Sequence, residues 1–170
     1  MAAATIVISE SNGSGETVTD NISSVNFGSA DSVNLTASSF PITPGNNSFE
    51  KYIRLRVSAM GDATAIDNIK IYAPSASFPV STGTYLKSNL KTSAYSAATY
   101  ATPVATTSTV ATTNIATTLP ASANLGIATS LTGTLTAAGY SDYCVLQIQT
   151  NASDTAGTTI TLRFQWDEVA

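Results

Sequence analysis

Four carboxylates gather toward the C-terminus of this 170-residue chain: Asp142, Asp154, Asp167 and Glu168. Two acids flanking a sugar could hydrolyse a glycosidic bond, and oxygen-rich loops could hold calcium, although no EF-hand spacing is present. The commoner chemistries lack their parts. The chain contains no histidine, which removes the commonest general base and the commonest zinc ligand. It has no Gly-x-Ser-x-Gly elbow, phosphate loop or dinucleotide fingerprint. Its single cysteine, Cys144, cannot close an internal disulfide and falls on the apolar face of an alternating segment, where a thiol behaves as a small hydrophobe. The acids read as solvated turn and strand-end charges. The expectation is no catalytic group, no cofactor and no metal.

A second cluster is suited to binding. Tyr52, Arg54 and Arg56 alternate along one segment, and Lys70 and Tyr72 along the next. If the two segments form a hairpin, all five share one solvent face. Tyrosine and arginine are enriched in protein interfaces, so these five residues are the candidate partner interface. An aromatic platform for a sugar is the alternative, as is plain cross-strand pairing of the charges with Glu50 and Asp67.

The elements that must carry these residues are strands. Over Phe49 to Ala59, Phe49, Lys51, Ile53, Leu55, Val57 and Ala59 share one face. Lys51, at the strand entrance, is expected to snorkel. Ile69 and Ile71 continue the inward pattern over 65–72, predicting an antiparallel hairpin with 49–59. Cys144, Leu146 and Ile148 alternate with Gln147 and Gln149. After a turn at Asp154-Thr155-Ala156-Gly157, Ile160, Leu162, Phe164 and Trp166 do the same, predicting a closing two-stranded ribbon with those four side chains buried. Short strands are expected around Ile22–Phe27 and Val33–Leu35. Ser39-Phe40-Pro41 and Ser77-Phe78-Pro79 repeat at a spacing of 38; each proline marks an edge or a crossing, and each aromatic is expected to plug an end of the core. Helical periodicity is absent, with one turn at most between Leu119 and Leu135.

Residues 1–15 read as an N-terminal arm or first short strand, and 16–170 as a single β-sandwich domain. Within it, 92–139 is a Thr/Ala-rich excursion. Asp and Glu are missing between Asp67 and Asp142. Threonine-rich uncharged chain has a high strand propensity, so its edges must be covered by its own domain or by another subunit. A homo-oligomer or lattice component is therefore expected, with 1–15 and 92–139 making many of the contacts.

Composition narrows the class. Charged residues make up 11% of the chain, its apolar residues 43%, and its net charge is −4. No basic tract suits nucleic acid, and no apolar window suits a membrane span. Residues 1–10 carry no positive charge and too short an apolar run for a signal peptide. Yet the Thr-, Ser- and Asn-rich composition looks extracellular. Synthesis in a host cytoplasm followed by assembly or lysis reconciles the two; a secreted domain lacking its signal is the alternative.

Four stretches carry a resemblance: Phe49-Glu50-Lys51-Tyr52-Ile53-Arg54-Leu55-Arg56-Val57, Asp67-Asn68-Ile69-Lys70-Ile71-Tyr72, Ser141 through Ile148, and Phe164-Gln165-Trp166-Asp167-Glu168-Val169. Together they resemble tailed-bacteriophage virion structural proteins of the capsid decoration or accessory type. The resemblance implies an all-β, jelly-roll-like antiparallel sandwich, localised to the virion and without enzymatic activity. Its implied partners are the major capsid protein, or other virion proteins, and copies of itself. A carbohydrate-binding or adhesin module on a phage tail or cell surface is the alternative.

Overall fold

A computed structural model describes residues 2–74, 76, 83–90, 99–104, 111–154 and 159–170. The regular structure among them is entirely β. The strands are β1 (Thr5–Asn12), β2 (Thr17–Asp20), β3 (Lys51–Ala59), β4 (Ala65–Tyr72), β5 (Tyr85–Asn89), β6 (Thr113–Asn114), β7 (Gly139–Tyr140), β8 (Cys144–Gln149) and β9 (Arg163–Val169). A seven-stranded sheet runs β2-β1-β3-β8-β5-β6, with β7 also on β3, and a two-stranded sheet holds β4 and β9. Every pairing is antiparallel. Among the described residues no helix is long and apolar enough to cross a membrane.

The core lies between the two sheets. Ile53, Leu55 and Val57 of β3, Cys144 and Leu146 of β8 and Leu86 of β5 meet Ile66, Ile69 and Ile71 of β4. The alternation therefore selects the core face over 51–57, while at the ends of the 49–59 segment Glu50 is buried and Ala59 exposed, against expectation. In β4 the inward face changes parity between Ile66 and Ile69. A bulge does this: three steps from Asp67 to Lys70 match two on β9, and Asn68 sits at φ 49°. Asn68 Nδ2 donates to Asp167 Oδ2 at 2.8 Å and pins the bulge.

Neither expected ribbon forms. β3 pairs with β1 and β8 rather than with β4, and β9 pairs with β4 rather than with β8. Each connection crosses from one sheet to the other instead of folding back. Met60 and Ala63, between β3 and β4, pack against the core as the chain crosses. The turn expected at Asp154-Thr155-Ala156-Gly157 falls mostly outside the described residues. Ile160, Leu162, Phe164 and Trp166 do face the core, but they are partly rather than fully buried, because β9 borders the smaller sheet.

Residues 21–50 contain no strand, in place of the two short strands expected there. Asn21 and Asn34 adopt positive φ (59° and 55°), which interrupts extended chain. Ile22, Val25 and Phe27 still pack against the core. Phe40 does not plug it and is 42% exposed; the carbonyl of Phe40 instead accepts from Ser29 N at 3.0 Å. Phe78 and Pro79, in the other copy of that repeat, lie outside the described residues.

The N-terminal segment is a strand, not an arm. β1 is hydrogen-bonded on both sides, by β2 and β3, and Ile6 and Ile8 contribute to the core. Within the Thr/Ala-rich excursion, 92–98 and 105–110 lie outside the described residues. Part of the described remainder packs into its own domain, while Thr113, Asn114 and Leu119 are exposed. Ile115, Leu125 and Ile127 are in the core, and β6 pairs with β5. Asn124 closes the outer edge of β4: its side-chain amide donates to Ile71 O at 2.9 Å and accepts from Ile71 N at 2.8 Å. One asparagine thus stands in for a strand residue, and the edge is blunted.

Lys51 does not snorkel. Its side chain is fully buried and its Nζ donates to Glu10 Oε1 at 2.7 Å and to Ser32 O at 2.6 Å. Asn12 Nδ2 donates to the same Glu10 oxygen at 2.9 Å, while Glu10 Oε2 has no hydrogen-bond partner among the described residues. The pair exists because β1 brings Glu10 to the core side of β3. A buried ion pair is fragile to loss of one member, since the other charge is left unsolvated. Lys51→Met is expected to destabilise by about 3–5 kcal/mol. Lys51→Met with Glu10→Leu should recover most of that loss. Urea unfolding of the two single variants and the double measures the coupling; additive losses would contradict it.

Candidate functional site

The outer face of the large sheet carries an aromatic and arginine plate. The residues of β3 that do not face the core supply Tyr52, Arg54 and Arg56. Tyr143, just before β8, and Tyr100, from the 99–104 segment, pack on Tyr52. Ring centroids are 5.6 Å apart for Tyr52–Tyr143 and 5.0 Å for Tyr52–Tyr100, both edge-to-face, a favoured geometry for aromatic pairs. Val145 completes this small cluster. The Arg54 guanidinium lies over two rings, 3.9 Å from the centroid of Tyr140 on β7 and 4.5 Å from that of Tyr143.

The plate is also tied to the β1–β2 turn. Tyr143 Oη donates to Glu16 Oε1 at 2.6 Å and accepts from Ser11 Oγ at 2.6 Å. Tyr100 Oη donates to the carbonyl of Gly13. Arg54 lies 3.9 Å from the same Glu16 carboxylate. Glu16 holds a positive φ of 52°, uncommon for a residue with a side chain; these contacts hold it there. Burial pushes the Tyr143 phenol well above its usual range, and the Glu16 acceptor adds to the rise. Tyr143 thus remains a neutral donor.

Beyond the buried tyrosines the same face opens to solvent. Arg56 pairs with Asp20 of β2, and its side chain keeps 35% of its accessibility. It also approaches the Tyr140 ring, at 5.6 Å from the centroid. Val18 of β2 is 38% exposed, and its cross-strand partner Ser11 lies next to Tyr52. Arg54, Arg56 and Tyr140 therefore form a rim of aromatic and cationic groups, with Val18 exposed on β2 of the same face.

The structure divides the five expected interface residues. Tyr52, Arg54 and Arg56 lie on β3 in the large sheet, and Lys70 and Tyr72 on β4 in the small one. Lys70 is buried, its Nζ donating to Ala121 O at 3.4 Å. Tyr52 is buried in the plate. The single shared face fails because the hairpin that would have created it is absent. Tyr100, Tyr140, Glu16, Asp20 and Val18 are additions that the strand patterns do not select. Tyr143 is visible as the odd-position aromatic leading into β8, but its partner Tyr52 follows only from the β3–β8 pairing.

The four C-terminal carboxylates do not come together. Asp142 accepts from Thr129 N at 3.2 and 3.1 Å, bracing a turn in which Ala128 and Thr129 both have positive φ. Asp154 caps Asn151 N at 2.7 Å. Asp167 holds Asn68, and Glu168 Oε2 accepts from Ala4 N at 3.2 Å. Among the described residues no group of three His, Cys, Asp or Glu side chains is placed to hold a metal ion. A cleft of about 190 Å³ lies among Ala2, Ala3, Asp62, Ala63 and the end of β9. Its two carboxylates, Asp62 and Glu168, already accept from the backbone N–H groups of Ala2 and Ala4. The Cys144 thiol is buried, and its burial raises its pKa far above that of a reactive cysteine.

A scan against protein-family models finds no match, and comparisons with curated proteins and with solved structures return no significant relative.

Glu50 anchors the 99–104 segment that delivers Tyr100. Its Oε2 accepts from Val104 N at 3.1 Å. Burial raises the Glu50 carboxyl above its ordinary value of 4.5; the Val104 bond works against the rise and the Asp31 charge adds to it. A carboxyl with a raised native pKa binds more protons folded than unfolded. Stability is therefore lost as pH rises from 4.5 through the raised value. Glu50→Gln can still accept from Val104. It is expected to be more stable than the native chain at neutral pH, with the difference vanishing below pH 4.5. Urea midpoints across that range test this; an advantage that grows on acidification would contradict it.

Proposed function

We propose that this chain is a non-enzymatic virion structural protein, and within that class a capsid decoration protein of jelly-roll-like descent. It would bind the major capsid protein and copies of itself. The observation that carries the reading is the rim of Arg54, Arg56 and Tyr140, with Val18 exposed on the same outer face of the large sheet. That mixture of tyrosine, arginine and an exposed aliphatic residue suits a protein-facing surface. The buried tyrosines behind it hold the rim rigid, so little conformational freedom is lost on docking. The crossings between sheets at β3–β4 and β8–β9 support the jelly-roll-like description. The low charge and the Ser/Thr-rich surface fit a protein that works in contact with neighbours.

A sugar platform needs an aromatic ring with an open face. Tyr52 and Tyr143 are buried against each other, and Arg54 covers Tyr140. The protein-binding reading is therefore preferred over the carbohydrate-binding one.

Mass spectrometry of purified particles of the phage encoding this chain tests the proposal. The chain is expected in amounts comparable with the major capsid protein. Arg56→Ala and Tyr140→Ala should lower its occupancy about tenfold, the loss expected when an interface anchor is truncated, without unfolding the free protein. Absence from the particles, or occupancy unaffected by both substitutions, would overturn the reading.

A further inference from the structure

We infer that β9 pairs with the β9 strand of a second copy of this chain, antiparallel and centred on Gln165, joining the two small sheets into one. The inference goes beyond the virion reading and concerns the free protein.

β9 has one strand neighbour, β4. In an antiparallel ladder, residues alternate between bonding one neighbour and presenting their N–H and C=O to the other side. The far side of β4 fixes the phase. Ile66 exchanges both backbone bonds with Leu135, at 2.9 Å each, and Ile71 is satisfied by the Asn124 amide. Both therefore turn away from β9. Their β9 partners, Glu168 and Phe164, must turn outward, and Trp166 between them shares that phase. No hydrogen bond among the described residues reaches the outward backbone groups of Phe164 or Trp166. Ile22, Val25 and Phe27 pack on the core without adding a strand to this edge. Among the described residues, β4 has a covered edge and β9 has none.

The sequence of β9 is self-complementary in one register. Two copies related by a twofold axis must oppose residues of the same facing and the same hydrogen-bonding phase. With Gln165 opposite its own counterpart, Phe164 opposes the partner's Trp166 and exchanges two backbone bonds with it, and the symmetric pair does likewise. Both aromatic rings are on the core-facing side, where each is partly buried. On the other side Arg163 opposes the partner's Asp167. Arg163 makes no ion pair within the chain among the described residues, and it is exposed. Asp167 uses Oδ2 to hold Asn68, leaving Oδ1 for a guanidinium. Moving the centre to Trp166 would set Arg163 opposite Val169 and Phe164 opposite Glu168, losing both matches. Exposed charges on an edge strand ordinarily discourage pairing; here their order makes one pairing specific.

Sedimentation equilibrium of the full chain tests this. The native protein is expected to show a concentration-dependent mass of twice the chain. Arg163→Asp places like charges in both symmetric contacts, as does Asp167→Arg, and each should weaken the dimer at least tenfold. In an equal mixture of the two single variants, both contacts of the mixed pair join an aspartate to an arginine, so the heterodimer should be tighter than either variant's homodimer. A combined Arg163→Asp, Asp167→Arg chain reverses both charges together, so opposite charges meet again in both contacts, and its dimer should return to within about threefold of the native strength. A native chain that stays monomeric throughout overturns the inference. So does a dimer indifferent to the single reversals, or a folded combined variant that does not associate. If loss of the Asn68 contact unfolds the chains carrying Asp167→Arg, Arg163→Asp alone decides: circular dichroism confirms its fold, and an unweakened dimer refutes the pairing.

Discussion

The architecture depends on one topological constraint. Two consecutive strands, β3 and β4, lie in different sheets, and so do β8 and β9; yet β3 pairs with β8 and β4 with β9. Each crossing thereby locks the other. Neither sheet can slide without breaking a ladder in its partner, and the space between them is filled by Ile53, Leu55, Ile66, Ile71 and Leu146. β3 is the pivot. Its inward residues build the core, and its outward residues build the plate. At its first residue the two roles meet, where Lys51 is buried against Glu10. Low charge is tolerable in such a chain because polar side chains finish the ladders; Asn124 on β4 is the clearest case.

Much of the strand content is legible from alternation. The bounds of β4 match the 65–72 segment, although the bulge changes its inward parity and buries Lys70, and the alternation over 51–57 selects the core face. The core face of 160–166 also agrees, though its burial is partial. Pairing is not legible. A period of two tells which side chains leave water, but a strand beside another in a sheet and a strand across the core from it produce the same pattern. Short connections make hairpins the simpler reading, and both expected hairpins are crossings. The irregular 21–50 segment escapes the pattern because its breaks come from asparagines in left-handed conformation, a choice that tertiary contacts impose.

The candidate site is only half visible for the same reason. Tyr52, Arg54 and Arg56 lie on one side of β3 whatever its neighbours are. Lys70 and Tyr72 join them only under the hairpin assumption. The tyrosines that complete the plate come from positions 100, 140 and 143, distant in sequence and adjacent only once β7 and β8 lie against β3. The burial of Lys51 is hidden because its partner sits on a strand that sequence alone does not separate from a loose arm. The same topology separates two surfaces with different properties: a rigid, partly sealed face on the large sheet and an edge strand on the small one.

The sheet switch can be read directly by nuclear magnetic resonance. Ile71–Phe164 and Ile66–Glu168 are pairs whose backbone groups point away from each other, which brings their α-protons close across the ladder. The account predicts strong α-proton cross-peaks for both pairs, and backbone contacts between β3 and β8 at Tyr52–Val145. Cross-strand α-proton contacts between 49–59 and 65–72 would mean that the chain folds back into a hairpin, and would contradict the interlocked arrangement on which the rest depends.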